Sequence, residues 1–305
     1  RFAYADMSVG FQLSWLPSVQ FGGSYIAKDK GLWSAEGLDV ALAHGGPNAP
    51  VEPPVVSGQA LMGISAADYT AAAVSQGAPF KIIAVAMQKN PFTIASLAKN
   101  PVKEPKDLEG KKIGMATANT PVLQAVCTIN NVDIDKITIV PTQYDAAPLV
   151  NGEVDCLLCW LTDLPVAMTV KGIDNVTMLL ADYGYENYAT TVFSTKAWIE
   201  AHKDAVKAFL KATAEGYQQC LDGNYEPAMK AVMEANPDHT EELFHFKLEQ
   251  MKDRGLVLSG DAETGGIGAM TDARWKAFFD LMVETGVYDA GLDYKAAYSL
   301  DYLPQ

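Results

Sequence analysis

From Gln12 to Ala43 the chain spells out a strand, a helix and a second strand, and a unit of that order joins two parallel strands across a helix. Gln12, Leu13, Ser14 and Trp15 read as a short strand ending at Trp15. Pro17, which has no backbone N–H to pair, then forces a turn. Phe21, Tyr25, Ile26 and Leu32 approximate helical spacing, Lys28 and Lys30 suit the carbonyl end of the helix dipole, and Gly31 is the expected stop. Glu36 and Gly37 turn the chain again before a strand from Leu38 to Ala43.

The alternation continues. Leu61 to Ser65 reads as a short strand, Asp68 to Ser75 as an alanine-rich helix and Phe80 to Met87 as a strand, the pattern of an open sheet with helices on its faces. A lysine- and proline-bearing stretch from Lys99 to Lys106 precedes a second series. That series has a strand at Lys112 to Met115, a helix from Thr120 to Asn130, a strand at Ile137 to Val140 and a helix near Ala146 to Asn151. A strand through Leu157 and another near Met178 to Leu180 complete it. Beyond Thr195 the pattern is helical: Val206, Phe209, Leu210, Thr213, Tyr217 and Cys220 share one face, and Trp275, Phe278, Phe279, Met282 and Val283 another, with Gly286 as a stop. Helices with no strands between them must pack back on surfaces already present.

At 305 residues and 49% hydrophobic composition, the chain can bury a sizeable core and divides into two domains at about 100–200 residues each. A net charge of −14 argues against nucleic acid or an anionic membrane surface as partner. No run approaches the roughly 18 apolar residues of a membrane span. Cys127, Cys156, Cys159 and Cys220 are too few for a disulfide scaffold. Cys156 and Cys159 form a CxxC inside an apolar strand, where residues three apart point to opposite faces, so they read as core. His44, His202, His239 and His245 have no metal-ligand spacing and read as surface or loop residues, so no metal is expected.

Ser14-Trp15-Leu16-Pro17, Tyr25 to Trp33, Glu36 to Val40, Val56 to Ser65, Leu108 to Gly114 and Leu149 to Asp155 follow one another in an order that resembles a known family. It is that of the periplasmic solute-binding proteins of ABC importers, with its binders of thiamine pyrimidine precursors, riboflavin, taurine, alkanesulfonates and nitrate. The resemblance implies an α/β type II periplasmic binding fold of two doubly wound domains with a ligand cleft between them and C-terminal helices packed on the first. It also implies two crossings, placed near Ser96 and Ser194. These give a discontinuous first domain of residues 1–95 plus 195–305 and an inserted second domain of 96–194. Domain closure around a solute, a membrane permease as partner, a monomeric state, no cofactor, and a periplasmic or otherwise extracytoplasmic location with the signal peptide removed follow from the same resemblance.

Ligands of open α/β sheets lie outside the carboxyl ends of the strands. That rule selects Trp15, Gln20, Ser65, Asp68, Tyr69 and Gln88 from the first sheet, and Thr117, Asn119, Thr120, Trp160, Asp163, Tyr183, Tyr185, Glu186 and Tyr188 from the second. Aromatics and carboxylates dominate. The arginines Arg1, Arg254 and Arg274 stand at no predicted strand end, whereas anion sites usually present arginine forks or a glycine-rich nest. The turn from Gly114 to Pro121 departs from the family's glycine-and-serine version, with Thr120 placed to cap a helix that has Pro121 in its first position. The expected ligand is a neutral or cationic flat nitrogen heterocycle, a thiamine pyrimidine precursor or flavin-like molecule, stacked on Trp15, Trp160 or the tyrosines. Asp68, Asp163 or Glu186 would accept its amino hydrogens. Trp15 and Trp160 also fit a core role, and Asp68 fits a helix cap.

Two alternatives stand beside this. One is a sulfonate-, taurine- or nitrate-like anion. The other is an enzyme, because the resemblance extends to a eukaryotic pyrimidine synthase that needs pyridoxal phosphate and iron. That synthase's cysteine-rich motif is absent, as are a nucleophile elbow, a phosphate loop and a His-Glu metal helix, so no catalytic residue is expected.

Overall fold

Val9, Phe11 and Leu13 alternate inward, so the first strand begins earlier than the sequence suggests: β1 is Met7–Gln12, and Trp15 lies in the turn beyond it. The computed structural model describes residues 7–46 and 49–304, with Tyr69 described by its backbone alone. The first lobe continues through α1 (Gly22–Asp29), β2 (Leu38–Ala43), α2 (Glu52–Val56), β3 (Met62–Ser65), α3 (Ala67–Ser75) and β4 (Phe80–Met87). The second holds β5 (Phe92–Leu97), β6 (Lys112–Met115), α4 (Thr120–Ile129), β7 (Thr138–Pro141), α5 (Ala147–Val150), β8 (Cys156–Trp160), α6 (Leu164–Val170) and β9 (Asn175–Leu179). The chain returns as β10 (Ala189–Thr195) and ends in α7 (Lys196–Ala201), α8 (Lys203–Leu221), α9 (Glu226–Ala235), α10 (Glu241–Asp253), α11 (Ala262–Gly265) and α12 (Asp272–Glu284).

The two sheets have one plan, with strand orders β2-β1-β3-β10-β4 and β7-β6-β8-β5-β9. In each, the antiparallel member is the strand that the chain enters from the other lobe, β10 in the first sheet and β5 in the second. The crossings therefore span residues 88–91 and the segment between β9 and β10. The expected crossing points, Ser96 and Ser194, each fall inside one of these exchanged strands. Because β5 begins where β8 and β9 end, the carboxyl ends of the parallel strands in both sheets point toward the crossings.

The first lobe is held by a close approach of α1 and α8. A Cβ placed on Gly23 would meet the Tyr217 ring at 2.1 Å, and one on Gly216 would meet the Gly23 carbonyl at 2.1 Å, so both positions require glycine. Trp33 stacks on Phe209 at 5.3 Å and donates from Nε1 to Thr213 Oγ1 at 3.1 Å. The C-terminal helices pack largely on this lobe, with one addition: α10 also packs on α6 of the second lobe. Its buried Phe244, Leu248 and Met251 share an apolar cluster with Leu161 and Leu179. Cys156 and Cys159 sit in different apolar clusters on opposite faces of β8, and the four cysteines are free and buried.

Candidate ligand-binding cleft

At the first lobe's edge, Trp15 lies beyond β1 as a residue 41% exposed, and its carbonyl accepts from Gly45 N at 3.1 Å. Gln20 is buried in the short turn Val19–Phe21, where its carbonyl accepts the Tyr217 hydroxyl at 2.6 Å. Ser65 closes β3 and donates to Glu52 Oε1. Asp68 stands in the first turn of α3 rather than at its cap, which is Ala66. Its side chain is exposed and its carbonyl accepts the Tyr288 hydroxyl at 2.7 Å. The side chain of Tyr69 lies outside the described residues.

The second lobe's edge carries Thr117 to Thr120 after β6, Trp160 as the last residue of β8, and Leu161 to Asp163 beyond it. Asn119 takes the cap position of α4 without a side-chain bond, and Thr120, the first helical residue, donates instead to the Thr117 carbonyl at 2.7 Å. Thr117 is exposed. Trp160 is half-buried, edge-on to Phe92 at 6.3 Å, and its N–H donates to the Tyr144 hydroxyl at 3.1 Å. That hydroxyl donates in turn to Asp163 Oδ2 at 2.8 Å. Tyr144 therefore belongs at this edge, although sequence reasoning passed over it. It follows β7, and applying the strand-end rule to β7 as well as to its neighbours finds it.

Asp163 has a counterpart on the other lobe. Burial raises its carboxyl above the usual carboxylate range, against the opposing pull of the Lys247 ammonium and the Tyr144 hydrogen bond. Burial likewise lowers Lys247 below the usual lysine range, while Asp163 pulls the other way. Lys247 is a second residue that the sequence reading missed, and a signal existed. It stands three residues after Phe244 and four before Met251, on the inward stripe of α10, where a lysine is out of place as packing material.

Three expected contacts are assigned elsewhere by the structure. Tyr183 donates to the Lys103 carbonyl at 3.1 Å, and its own carbonyl accepts from Asn130 at the far end of α4 at 2.9 Å, so it turns away from the strand ends. Gln88 is buried and spends its side chain on the Ala269 carbonyl at 2.7 Å and the Asp261 N–H at 3.2 Å. Tyr188 donates to Asp261 and accepts from Thr271 N at 3.0 Å, under the Arg274 guanidinium 4.4 Å from its ring centre. Tyr185 is buried beside Asn187, with its hydroxyl raised above the usual phenol range by burial and by the nearby Asp68 charge. Glu186 exposes its side chain and gives its carbonyl to Arg274 at 2.6 Å.

The arginines explain the crossings. Arg274 Nη2 also donates to the Gln88 carbonyl at 2.7 Å, so one guanidinium ties both crossing segments to α12. Arg254 reaches Asp182 and Thr177 of the second lobe, each at 3.4 Å. Both groups come to strand ends from distant helices and are occupied by protein; Arg1 lies outside the described residues. Thr190, the second residue of β10, holds φ at +58°, a conformation costly for a β-branched residue and located at the return crossing.

Comparison with known proteins follows the same lines. The chain is 24% identical over 273 residues, 84% of its length and 82% of the other's, to the formylaminopyrimidine-binding protein of Halalkalibacterium halodurans. It is 25% identical over 218 residues, 67% of its length and 63% of the other's, to the 4-amino-5-hydroxymethyl-2-methylpyrimidine phosphate synthase of Schizosaccharomyces pombe. In fold it is similar to the periplasmic aliphatic sulphonate binding protein SsuA of Escherichia coli, with a TM-score of 0.72 at 12% identity over 95% of this chain and 96% of that one. The architecture is that of the periplasmic binding proteins. Residues 18–224, running from the turn after β1 through both lobes to just past α8, match the family described as NMT1/THI5 like, and the chain belongs to that family.

Proposed function

We propose that this protein captures a small neutral or cationic aromatic nitrogen heterocycle, with 4-aminopyrimidines foremost, in the cleft between its lobes. We place it outside the cytoplasm, delivering that solute to the permease of an ABC importer. One observation carries the reading: the cleft edge offers aromatic faces and carboxylates, while both described arginines are spent on protein groups. A flat heterocycle gains from stacking on Trp15, Trp160 or Tyr144 and donates amino hydrogens to carboxylates. The pyrimidine named for the Halalkalibacterium halodurans relative fits that chemistry.

An aliphatic sulfonate is the second reading, because the N-terminus of α4 opens at the same edge, although the turn Thr117–Asn119 before it lacks the glycines of an anion nest. The synthase relative keeps an enzyme in view, and a visible absorbance band from bound pyridoxal phosphate in the purified protein would favour it over transport. Calorimetric titration with 4-amino-2-methylpyrimidine tests the preferred reading. Binding that weakens at least tenfold in Trp15→Ala, with the melting temperature unchanged, supports it, and unchanged affinity removes Trp15 from the site.

A further inference from the structure

We propose that Lys247, Asp163 and Tyr144 form a donor–acceptor subsite that reads the amidine edge of a 4-aminopyrimidine. The Asp163 carboxylate takes the exocyclic amine hydrogen, the Lys247 ammonium donates to the adjacent ring nitrogen, and the Tyr144 ring offers a face for stacking. This deepens the heterocycle reading above and rests on it.

The three groups converge from both lobes. Lys247 lies on α10 of the first lobe, α10 packs on α6 of the second, and Asp163 immediately precedes α6. Lys247 and Asp163 interact electrostatically without approaching to the 4.0 Å of a direct ion pair. Two opposite charges drawn out of water with no direct contact are a poor structural device, because desolvation is borne without the short-range attraction that offsets it. They are a good device for a ligand carrying a donor beside an acceptor, which completes both hydrogen bonds at once.

Tyr144 has a related economy. Its hydroxyl is fixed on two sides, donating to Asp163 Oδ2 and accepting from the Trp160 backbone N–H, while the residue as a whole is 56% exposed. A surface aromatic held at its polar end is a rigid platform, which limits the entropy lost on stacking. The same bond occupies Oδ2 and leaves Asp163 Oδ1 for the ligand. The other ionisable neighbours are His239, which senses Lys247, and Cys159, which senses Asp163; burial shifts both toward their neutral forms.

The test is calorimetry on the full chain with two probes, 4-amino-2-methylpyrimidine and 2-methylpyrimidine, which lacks the amine. The unaltered protein should prefer the amine by about tenfold or more, as expected when a site built to hydrogen-bond a group meets the analogue lacking it. Asp163→Asn still accepts the Tyr144 hydrogen bond and removes a desolvated charge. It should abolish the preference while leaving the melting temperature at or above that of the unaltered protein, a result that a purely structural role would not give. Lys247→Met, on the other lobe, should weaken both probes about tenfold, since both carry the ring nitrogen, and it carries the test if Asp163→Asn folds poorly. If the unaltered protein binds the aminopyrimidine and both variants stay within twofold of it, the subsite is overturned and the heterocycle reading survives. If the unaltered protein binds neither probe, the heterocycle reading falls and the subsite with it.

Discussion

Arg274→Met should be among the most damaging single substitutions outside the apolar core. The guanidinium bonds the carbonyls of Gln88 and Glu186 at 2.7 and 2.6 Å, one on each segment between the lobes, with the side chain 19% exposed. A hydrogen bond from a charged donor contributes about 1.5–3 kcal/mol, and a cation over a tyrosine face about 0.5–1 kcal/mol. Taking the low end for both bonds and adding the ring contact gives a loss of about 3.5–4 kcal/mol, a large share of a typical stability of about 5–15 kcal/mol. Methionine keeps apolar packing over Tyr188, so the loss reports the polar contacts of the guanidinium, the two carbonyl bonds together with the Asp261 carboxylate at 3.9 Å. Urea denaturation followed by tryptophan fluorescence measures it. Lys230→Met is the control: Lys230 and Glu234 are 75% and 69% exposed at 3.9 Å, and an exposed pair of that kind contributes about 0–1 kcal/mol. Arg274→Lys should recover less than half of the loss, because an ammonium cannot present two donors in one planar fork. A loss below about 1 kcal/mol in Arg274→Met, or full rescue by lysine, refutes the role given to the tie.

Gly216→Ala should lower the melting temperature steeply, because its Cβ would meet the Gly23 carbonyl at 2.1 Å; a melting temperature within a degree or two of the original would show that α1 and α8 are free to separate. Cys156 and Cys220, each pushed up to about 12 by burial, and Cys127, pushed up to about 11, should resist a thiol reagent in the native state, and all four cysteines should react once unfolded. Rapid native labelling of any of these three would contradict their placement. His239 is held below the usual histidine range by burial and by Lys247. As pH falls through about 6.5 the unfolded chain therefore takes the proton first and stability drops. Comparison of urea midpoints at pH 7.5 and 5.5 should give a smaller drop for His239→Gln than for the unaltered protein, and an equal drop denies the effect.

Where a strand is marked by alternation or by a nearly unbroken apolar run, the sequence was a good guide. Leu38–Ala43 alternates buried and exposed residues, Phe80–Met87 and Lys112–Met115 are buried almost throughout, and all three stand where their patterns place them. The exchanged strands were missed for a physical reason. Along β10, Thr190, Thr191 and Ser194 are all buried, and their neighbours' carbonyls rather than water satisfy two of them: Thr191 donates to Ser65 at 2.7 Å and Ser194 to Leu61. A strand covered on both faces, with hydroxyls bonded across the sheet, has no alternation to read. His239, read as a surface or loop residue, does lie in the loop between α9 and α10, where it is buried and packed edge-on to Phe244.

The candidate site was legible to the extent that strand order fixes it. Trp15 lies beyond β1, Trp160 ends β8 and Asp163 follows it, so periodicity alone placed these three candidates at strand ends. Gln88 and Tyr188 obey the same rule and have another occupation, because α12 returns from far along the chain to bond the crossings there. Lys247 comes from a helix that local reasoning assigned to packing. Contacts delivered over such separations depend on tertiary assembly, which no window of residues encodes.

A thermal-shift panel on the purified protein tests the central claim most directly, with aminopyrimidines, flavins, purines, sulfonates and nitrate compared at equal concentration. A ligand present at about 100 times its dissociation constant adds roughly 2.7 kcal/mol of stability. A rise in melting temperature with an aminopyrimidine or other flat nitrogen heterocycle, and none with the anions, is the predicted result; a rise with sulfonates or nitrate alone would contradict it.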